Sequence, residues 1–323
     1  MMKLCVIIAF LSISFCLAQE LEEKPHLYLN QLQPNEMGHV AFHNGTRLTD
    51  YLYAIGFAPR LRETLYAFVE KNGILKAFQD MEKNPLDEGK SSTKAMQDGL
   101  WHVQRPDDRW HSNMHWIIPA EEKTQLQFLT ALGDGGFDDS LDAIGKHLNM
   151  EGIVCYHFMF IAVTNCSQGY MHQDFHATNG KGFNLIIPLL LKEDSVPELD
   201  VWVDETEATI GLKYQYDMGF MLGDDAYHGT SAIDYTGTGK MRMMATVYLA
   251  DINEDNVDAI MNAYTQEYPP ASRSRLLAQR GEHWRKPNRL PRSVPVDDGQ
   301  KSSMVCEEGD ACEENDGLEK SEL

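Results

Sequence analysis

After its first twenty residues the chain has no apolar run long enough to cross a bilayer. A span takes about 20 residues, and the best candidate, Phe183 to Leu191, is strand-sized and interrupted by Pro188. Cationic charge is scarce as well: 28 Lys and Arg stand against 49 Asp and Glu, for a formal net charge of -21. That balance excludes unaided binding to nucleic acid or anionic lipid, both of which need cationic surface. Cysteine is sparse and none of it has zinc-site spacing, no His-Glu-X-X-His occurs, and no internal repeat is present.

What is there begins with Met1-Met-Lys-Leu, an apolar stretch from Cys5 to Leu17, and a small residue at Ala18 before Gln19-Glu20. A charged start, an apolar run of roughly a dozen residues and a small residue at the cut form a secretory signal peptide, so residues 1–18 are expected to be removed. Cys5 and Cys16 leave with it, and Cys155, Cys166, Cys306 and Cys312 remain. An even number in an oxidising compartment predicts disulfides, with Cys155 to Cys166 and Cys306 to Cys312 the simplest of three connectivities. Two glycosylation sequons, at Asn44 and Asn165, are permissible there. The C-terminal Lys320-Ser-Glu-Leu323 resembles the signal that returns soluble proteins to the endoplasmic reticulum, with Ser321 where aspartate is usual, so residence in that lumen is set against secretion.

About 300 mature residues suffice for one large domain with elaborations or two small ones. Residues 19–150 read as a helical and irregular region. Within it, Leu61, Leu65, Phe68, Val69 and Leu75 recur at helical spacing, predicting one helix over about 59–79. A polar loop follows over 84–99, then helices over 121–132 and 140–148, separated by Gly133-Asp-Gly-Gly136. From 151 to 252 the texture changes to Val, Ile, Phe and Tyr-rich runs at 153–164, 183–191, 199–203, 209–214, 220–222 and 243–250, punctuated by glycine turns. Helices first and close-set strands later predict an α+β fold: a helical layer on a β-sandwich or jelly roll. A helix and basic extension are expected over 253–292, and an acidic, disordered tail over 293–323.

The informative segment is Gly169-Tyr-Met-His172-Gln-Asp174-Phe-His176. On extended chain, residues two apart project to one side, so His172 and Asp174 can grip one metal from adjacent positions. A third ligand must come from elsewhere, and Gly223-Asp-Asp-Ala-Tyr-His228-Gly229 supplies His228 at a strand end. Two histidines and one carboxylate leave three open positions, which suits Fe(II) that must take a chelating co-substrate and then oxygen. Arg242, at the start of the strand Met243-Met-Ala-Thr-Val-Tyr-Leu249, can take the far carboxylate of a dicarboxylic acid in bidentate fashion.

This order, His-X-Asp early, a distal His late and a basic residue on a final strand, resembles the 2-oxoglutarate and Fe(II)-dependent dioxygenases. The resemblance covers roughly residues 153 to 251. It implies a double-stranded β-helix, related to the cupins, with Fe(II) on His172, Asp174 and His228 and 2-oxoglutarate as co-substrate. It also implies hydroxylation of an unactivated C–H bond with release of succinate and CO2, and ascorbate as accessory. Two departures stand out: Met244 occupies the place where the family commonly has Ser, and the interval from His228 to Arg242 is long. Lys240 is therefore a second candidate for the co-substrate carboxylate, and Thr246 or Tyr170 for an added hydroxyl. The presence of Asp174 favours hydroxylation, since related halogenases lack this carboxylate. If the chain stays in the endoplasmic reticulum, similar enzymes there hydroxylate prolyl or lysyl side chains, so a protein or peptide substrate is expected, with a small molecule as the other case.

The bland readings are as definite. His176 is assigned to the surroundings of the site, His157 to a satisfied core position, and the cluster of His102, His111, His115, Trp101, Trp110 and Trp116 to a packed cap or the way in for substrate. Two other functions stay open: a jelly roll that binds metal or ligand without turnover, and a zinc hydrolase using the same three residues.

Overall fold

A computed structural model describes residues 32–39, 42–43, 46–47, 51–83, 92–96, 101–105, 112–120, 122–150, 152–175, 178, 180–191, 198–224, 226–251 and 290–293. The signal peptide, the Asn44 sequon, His111, Trp110, His176, the helix expected over 253–264, Cys306, Cys312 and the acidic tail lie outside them. The chain divides into a unit ending at Arg292 and one beginning at Ser293, and every element below belongs to the first.

The strands are β1 (Met37–His39), β2 (Phe42–His43), β3 (Thr46–Arg47), β4 (Leu52–Gly56), β5 (Ser92–Met96), β6 (Trp101–Arg105) and β7 (Ser112–Pro119), then β8 (Ile153–Cys166), β9 (Gly182–Leu190), β10 (Glu198–Val203), β11 (Ala208–Lys213), β12 (Met218–Leu222), β13 (His228–Thr230), β14 (Ile233–Asp234) and β15 (Arg242–Asp251). The helices are α1 (Pro59–Lys71), α2 (Ile74–Lys83), α3 (Glu122–Asp134) and α4 (Phe137–Leu148).

From β8 onward the chain alternates between two antiparallel sheets. β8, β9, β12 and β15 lie in the large sheet, in the order β12-β9-β15-β8, while β10, β11 and β13 form the small sheet in the order β11-β10-β13. His172 bridges to His228 at the edge of the small sheet. This alternation is the double-stranded β-helix, and the whole is α+β.

The period of two decides what each face does. On β15, Met243, Ala245, Val247 and Leu249 enter the core beneath the helices, whereas Arg242, Met244, Thr246 and Tyr248 line the space between the sheets. On β9 the same parity sends Leu185, Ile187 and Leu189 to the helices and Asn184 and Ile186 inward. α1 covers the large sheet with Leu61, Leu65, Phe68 and Val69, a stripe at helical spacing.

Three expectations change here. The single helix over 59–79 is two helices, because Asn72-Gly73 interrupts it: Gly73 has φ of 64°, and the Asn72 and Gly73 amides bond the Phe68 and Glu70 carbonyls to close α1. The supposed loop over 84–99 contains β5, and the region before residue 150 is not only helical, since β5, β6 and β7 extend the large sheet past β8, and β4 and β1 extend it past β12. Most of these strands have five residues or fewer and carry no long apolar run, and pairing with a neighbouring strand identifies them. Finally, Cys155 and Cys166 are free thiols, not a disulfide. Both sit on β8, and at about 3.3 Å per residue their eleven-residue separation is roughly 35 Å, far beyond the few ångströms between bridged Cα atoms.

Asn165 also stands on β8, with its amide donated to Asp234 at 3.1 Å. Among the described residues no helix is long and apolar enough to cross a membrane.

Candidate metal centre

Two strand ends and a bend bring three donors together. The backbone of His172 exchanges two hydrogen bonds with that of His228, each amide donating to the other's carbonyl at 2.9 Å. Such a narrow pair places the two side chains on one face, and the imidazole centroids are 4.5 Å apart. Glycines make this approach possible: a Cβ on Gly169 would lie 2.3 Å from the Thr230 carbonyl oxygen, and one on Gly229 would lie 3.0 Å from the Tyr170 carbonyl oxygen.

Asp174 completes the group. Its Oδ1 lies 3.3 Å from His172 Nε2 and its Oδ2 lies 3.6 Å from His228 Nε2. The three ligand atoms fall within 4.8 Å of one another. Each imidazole uses its other nitrogen on the backbone, His172 Nδ1 lying 3.0 Å from the Tyr170 carbonyl oxygen and His228 Nδ1 lying 2.8 Å from that of Ala226. Those contacts fix the protonated nitrogen as Nδ1 and leave both Nε2 lone pairs facing Asp174, the arrangement a metal requires.

Burial disfavours a charge on His228, and the His172 ring beside it adds to this, so its pKa falls to about 4 against the pull of Asp174. Burial also opposes ionisation of Asp174, but the His228 and His172 imidazoles and a hydrogen bond from Asn184 prevail and hold its carboxyl well below the usual carboxylate range. The His172 pKa is raised: burial pulls it down and the Asp174 carboxylate outweighs that. A buried carboxylate kept ionised between two imidazoles is a site prepared for a cation.

The pocket around these residues encloses about 640 Å³, its mouth included, and Arg242 forms part of its wall. Arg242 is 3 % exposed. Its Nη2 donates to Thr230 Oγ1 at 2.7 Å, while its buried Nε and Nη1 have no hydrogen-bond partner among the described residues. A guanidinium with two donors unmet inside a pocket is prepared for an anion, because leaving them unmet is costly.

The other candidates separate cleanly. Thr246 lines the pocket and donates its hydroxyl to the Met159 carbonyl at 3.4 Å. Lys240 is exposed, in the turn before β15, and is not among the lining residues. Of the two candidate anchors, Arg242 is the one whose position on β15 faces the pocket. Tyr170 does not line the pocket either. It serves His172 through its carbonyl and by stacking its ring on the imidazole at 5.8 Å.

The aromatic cluster splits by strand parity. Trp101 is fully buried among the helices, and His115 is buried beside Arg105, its pKa lowered to about 4 by burial and then by that charge. Trp116 faces the other way, into the pocket, with its Nε1 donating to Met114 Sδ at 3.2 Å. His102 pairs across β6 and β7 with Ile118, on Trp116's side of the sheet. His157 lies buried in β8 with its ring 5.4 Å from that of Tyr248, and burial lowers its pKa to about 3.

Sequence reasoning missed Asn184, Thr230 and Tyr214. Asn184 Nδ2 donates to Asp174 Oδ2 at 2.6 Å, and its Oδ1 is buried in the pocket without a hydrogen-bond partner among the described residues. A lone amide inside the apolar run Phe183 to Leu191 was the available signal, since buried polar groups are informative. Tyr214 lines the pocket with the Arg242 guanidinium 5.7 Å over its ring. Its pKa is pushed up to about 12 by burial, with Asp200 adding to the rise and Arg242 opposing it.

No family model and no curated protein matches the chain. Among solved structures it is similar to AviO1 from Streptomyces viridochromogenes Tue57, at 12% identity over 62% of this chain and 90% of that one, with a TM-score of 0.38. It is similar to a prolyl-4-hydroxylase from Pseudomonas putida, at 13% identity over 62% and 92%, with a TM-score of 0.35. A third is an oxidoreductase of the 2OG-Fe(II) oxygenase family from Burkholderia pseudomallei, at 14% identity over 54% and 76%, with a TM-score of 0.34. At these identities and TM-scores a shared activity does not follow, and the chemistry of this chain's own residues decides.

Proposed function

We propose that the protein is an Fe(II) and 2-oxoglutarate-dependent dioxygenase, an oxidoreductase that hydroxylates a C–H bond of its substrate and releases succinate and CO2. The observation that carries this is the joint placement, in one pocket, of a His172, Asp174 and His228 donor set and of the buried, unmet guanidinium of Arg242. A hydrolytic metal needs only the donor set, and an inert jelly roll needs neither. A dicarboxylate co-substrate needs both at once.

The two Nε2 atoms and the Asp174 carboxylate would hold Fe(II) on one side and leave three positions open. When bound, iron and 2-oxoglutarate supply the oxidation. The chain's part is positional. Arg242, steadied by Thr230, would hold the distant carboxylate of the co-substrate in bidentate fashion. Asn184 orients Asp174, and its unpartnered Oδ1 offers an acceptor inside the pocket. Burial of the His228 imidazole and the Asp174 carboxylate would limit competition from water for the metal. Ascorbate belongs to the assay as a reductant.

For the substrate, a protein or peptide side chain is favoured over a free small molecule. What supports this is the leader-like residues 1–18 together with the resemblance of Lys320-Ser-Glu-Leu323 to a retrieval signal; residence in the lumen of the endoplasmic reticulum would put the protein among nascent secretory chains. The test of the activity is oxygen-dependent conversion of 2-oxoglutarate to succinate with Fe(II) and ascorbate, in wild type beside Asp174→Ala. Turnover lost in the variant supports the reading. Failure of the wild type to bind 2-oxoglutarate in the presence of metal sinks it.

A further inference from the structure

The pocket has two unlike sides. Towards β13 and β15 it offers Thr230, Arg242 and the metal ligands, and towards β7 and β8 it is lined by Met114, Trp116, Met159 and Ile161. Cross-strand register makes that second side continuous. Met244 stands opposite Ile161 and Ile161 opposite Trp116, while Thr246 stands opposite Met159. An apolar lane therefore runs sideways from the strand that carries Arg242, across β8, to β7.

Charge accounting along the lane points to the kind of group it receives. Histidines apart, Asp174 and Arg242 are the charged side chains among the described residues that line the pocket, and the oxygenase reading commits one to the metal and the other to the co-substrate. Among the described lining residues a charged acceptor group would meet no opposite charge left to replace its water, which is strongly unfavourable, and the nearby Asp200, off the pocket wall, acts on Arg242 and Tyr214. An uncharged apolar group instead gains from burying its surface against thioethers, indole and Ile161.

Resting on that reading, we propose that the acceptor group presented to the metal is uncharged and apolar, an alicyclic or branched aliphatic group such as a prolyl or leucyl side chain, and that Met114, Trp116, Met159 and Ile161 select it. Lysyl side chains, and small molecules with an ammonium or carboxylate at the reacting end, are excluded.

The test uses the full chain labelled with 13C-methyl methionine, loaded with Zn(II) to prevent turnover and saturated with 2-oxoglutarate. Cyclohexanol, cyclohexylammonium and cyclohexanecarboxylate share a shape and differ in charge. Each is titrated while the Met114 and Met159 methyl resonances, assigned from Met→Leu variants, are followed. Cyclohexanol is expected to shift both, with a dissociation constant at least tenfold below that of either charged probe, and Trp116→Glu is expected to reverse the preference towards cyclohexylammonium. A charged probe that binds as tightly as cyclohexanol, or the absence of a Met114 and Met159 response to all three, overturns the proposal. The Met244 methyl, in the same pocket beside Arg242, separates the two levels. If 2-oxoglutarate fails to shift it, the oxygenase reading falls as well; if it shifts and a charged probe still competes, only the selectivity does.

Discussion

His172 and His228 trade backbone hydrogen bonds of 2.9 Å in both directions, so two imidazoles far apart in the chain are held by one narrow pair of the small sheet. The imidazole separation is thus set by main-chain geometry. The close backbone passage that allows this is sensitive to a single methyl group.

Gly169→Ala is expected to push the Thr230 carbonyl, and with it the segment carrying His228, away from His172, because the new Cβ would meet that oxygen at 2.3 Å. Misplacement of about 1 Å at a reacting centre can cost on the order of 100-fold. Zn(II) affinity by calorimetry should fall by about that factor, with far-ultraviolet circular dichroism unchanged.

Asn184→Ala removes the 2.6 Å hydrogen bond that orients Asp174. Partners of metal ligands typically contribute about 10- to 100-fold to affinity. A fall in metal affinity within that range, with the melting temperature nearly unchanged, is the expected outcome; wild-type affinity would remove Asn184 from the site.

Arg242→Met should leave metal binding intact and weaken 2-oxoglutarate by roughly 30-fold or more, since truncating one partner of a buried charge pair costs about 2 kcal/mol or more. Arg242→Lys should recover only part, as an ammonium lacks the planar fork. Lys240→Ala, at an exposed position off the pocket, should change neither quantity.

His228, His157 and His115 are buried and neutral, with pKa values lowered to about 4, 3 and 4, burial being the first cause in each case. Unfolding returns each towards about 6.5, so the unfolded chain binds more protons below that pH and stability drops as pH falls from about 6.5 towards 4. His172, with its raised pKa, acts in the opposite sense: it stabilises the metal-free protein at low pH and loses that effect as pH rises past its folded pKa. Urea midpoints measured between pH 4 and 8 should decline on the acid side, and His157→Gln should flatten the decline.

Cys155 and Cys166 should both titrate with a thiol reagent in urea and resist it in the native state, because both are buried and burial raises each thiol pKa. Recovery of fewer than two thiols from the Cys306→Ser, Cys312→Ser double variant of the mature chain would contradict their placement at opposite ends of β8.

Much of this was legible in the chain itself. The short, nearly continuous apolar run Met243 to Ala250 marks β15 without any partner in view, and Leu61, Leu65, Phe68 and Val69 mark the buried face of α1, because run length and a period of 3.6 are both local properties of the chain. β5 and β6 were not legible, since five-residue strands with two apolar residues each are stabilised by their neighbours. The break at Asn72-Gly73 was overlooked because the apolar repeat continues through it to Ile74 and Phe78.

The sequence by itself determined which side chains could bind a metal and an anion: His172, Asp174, His228 and Arg242 are specified by residue type, by spacing along extended chain and by order. Tertiary structure alone decided the rest. It put Arg242 on the pocket wall and Lys240 off it, joined Asn184 to Asp174, turned Trp116 to the pocket and Trp101 to the core, and separated two cysteines that looked paired. The physical reason is common to all four. Register between strands far apart in the chain sets which residues face each other, and a shift of one residue reverses every side chain, so no local pattern can specify it.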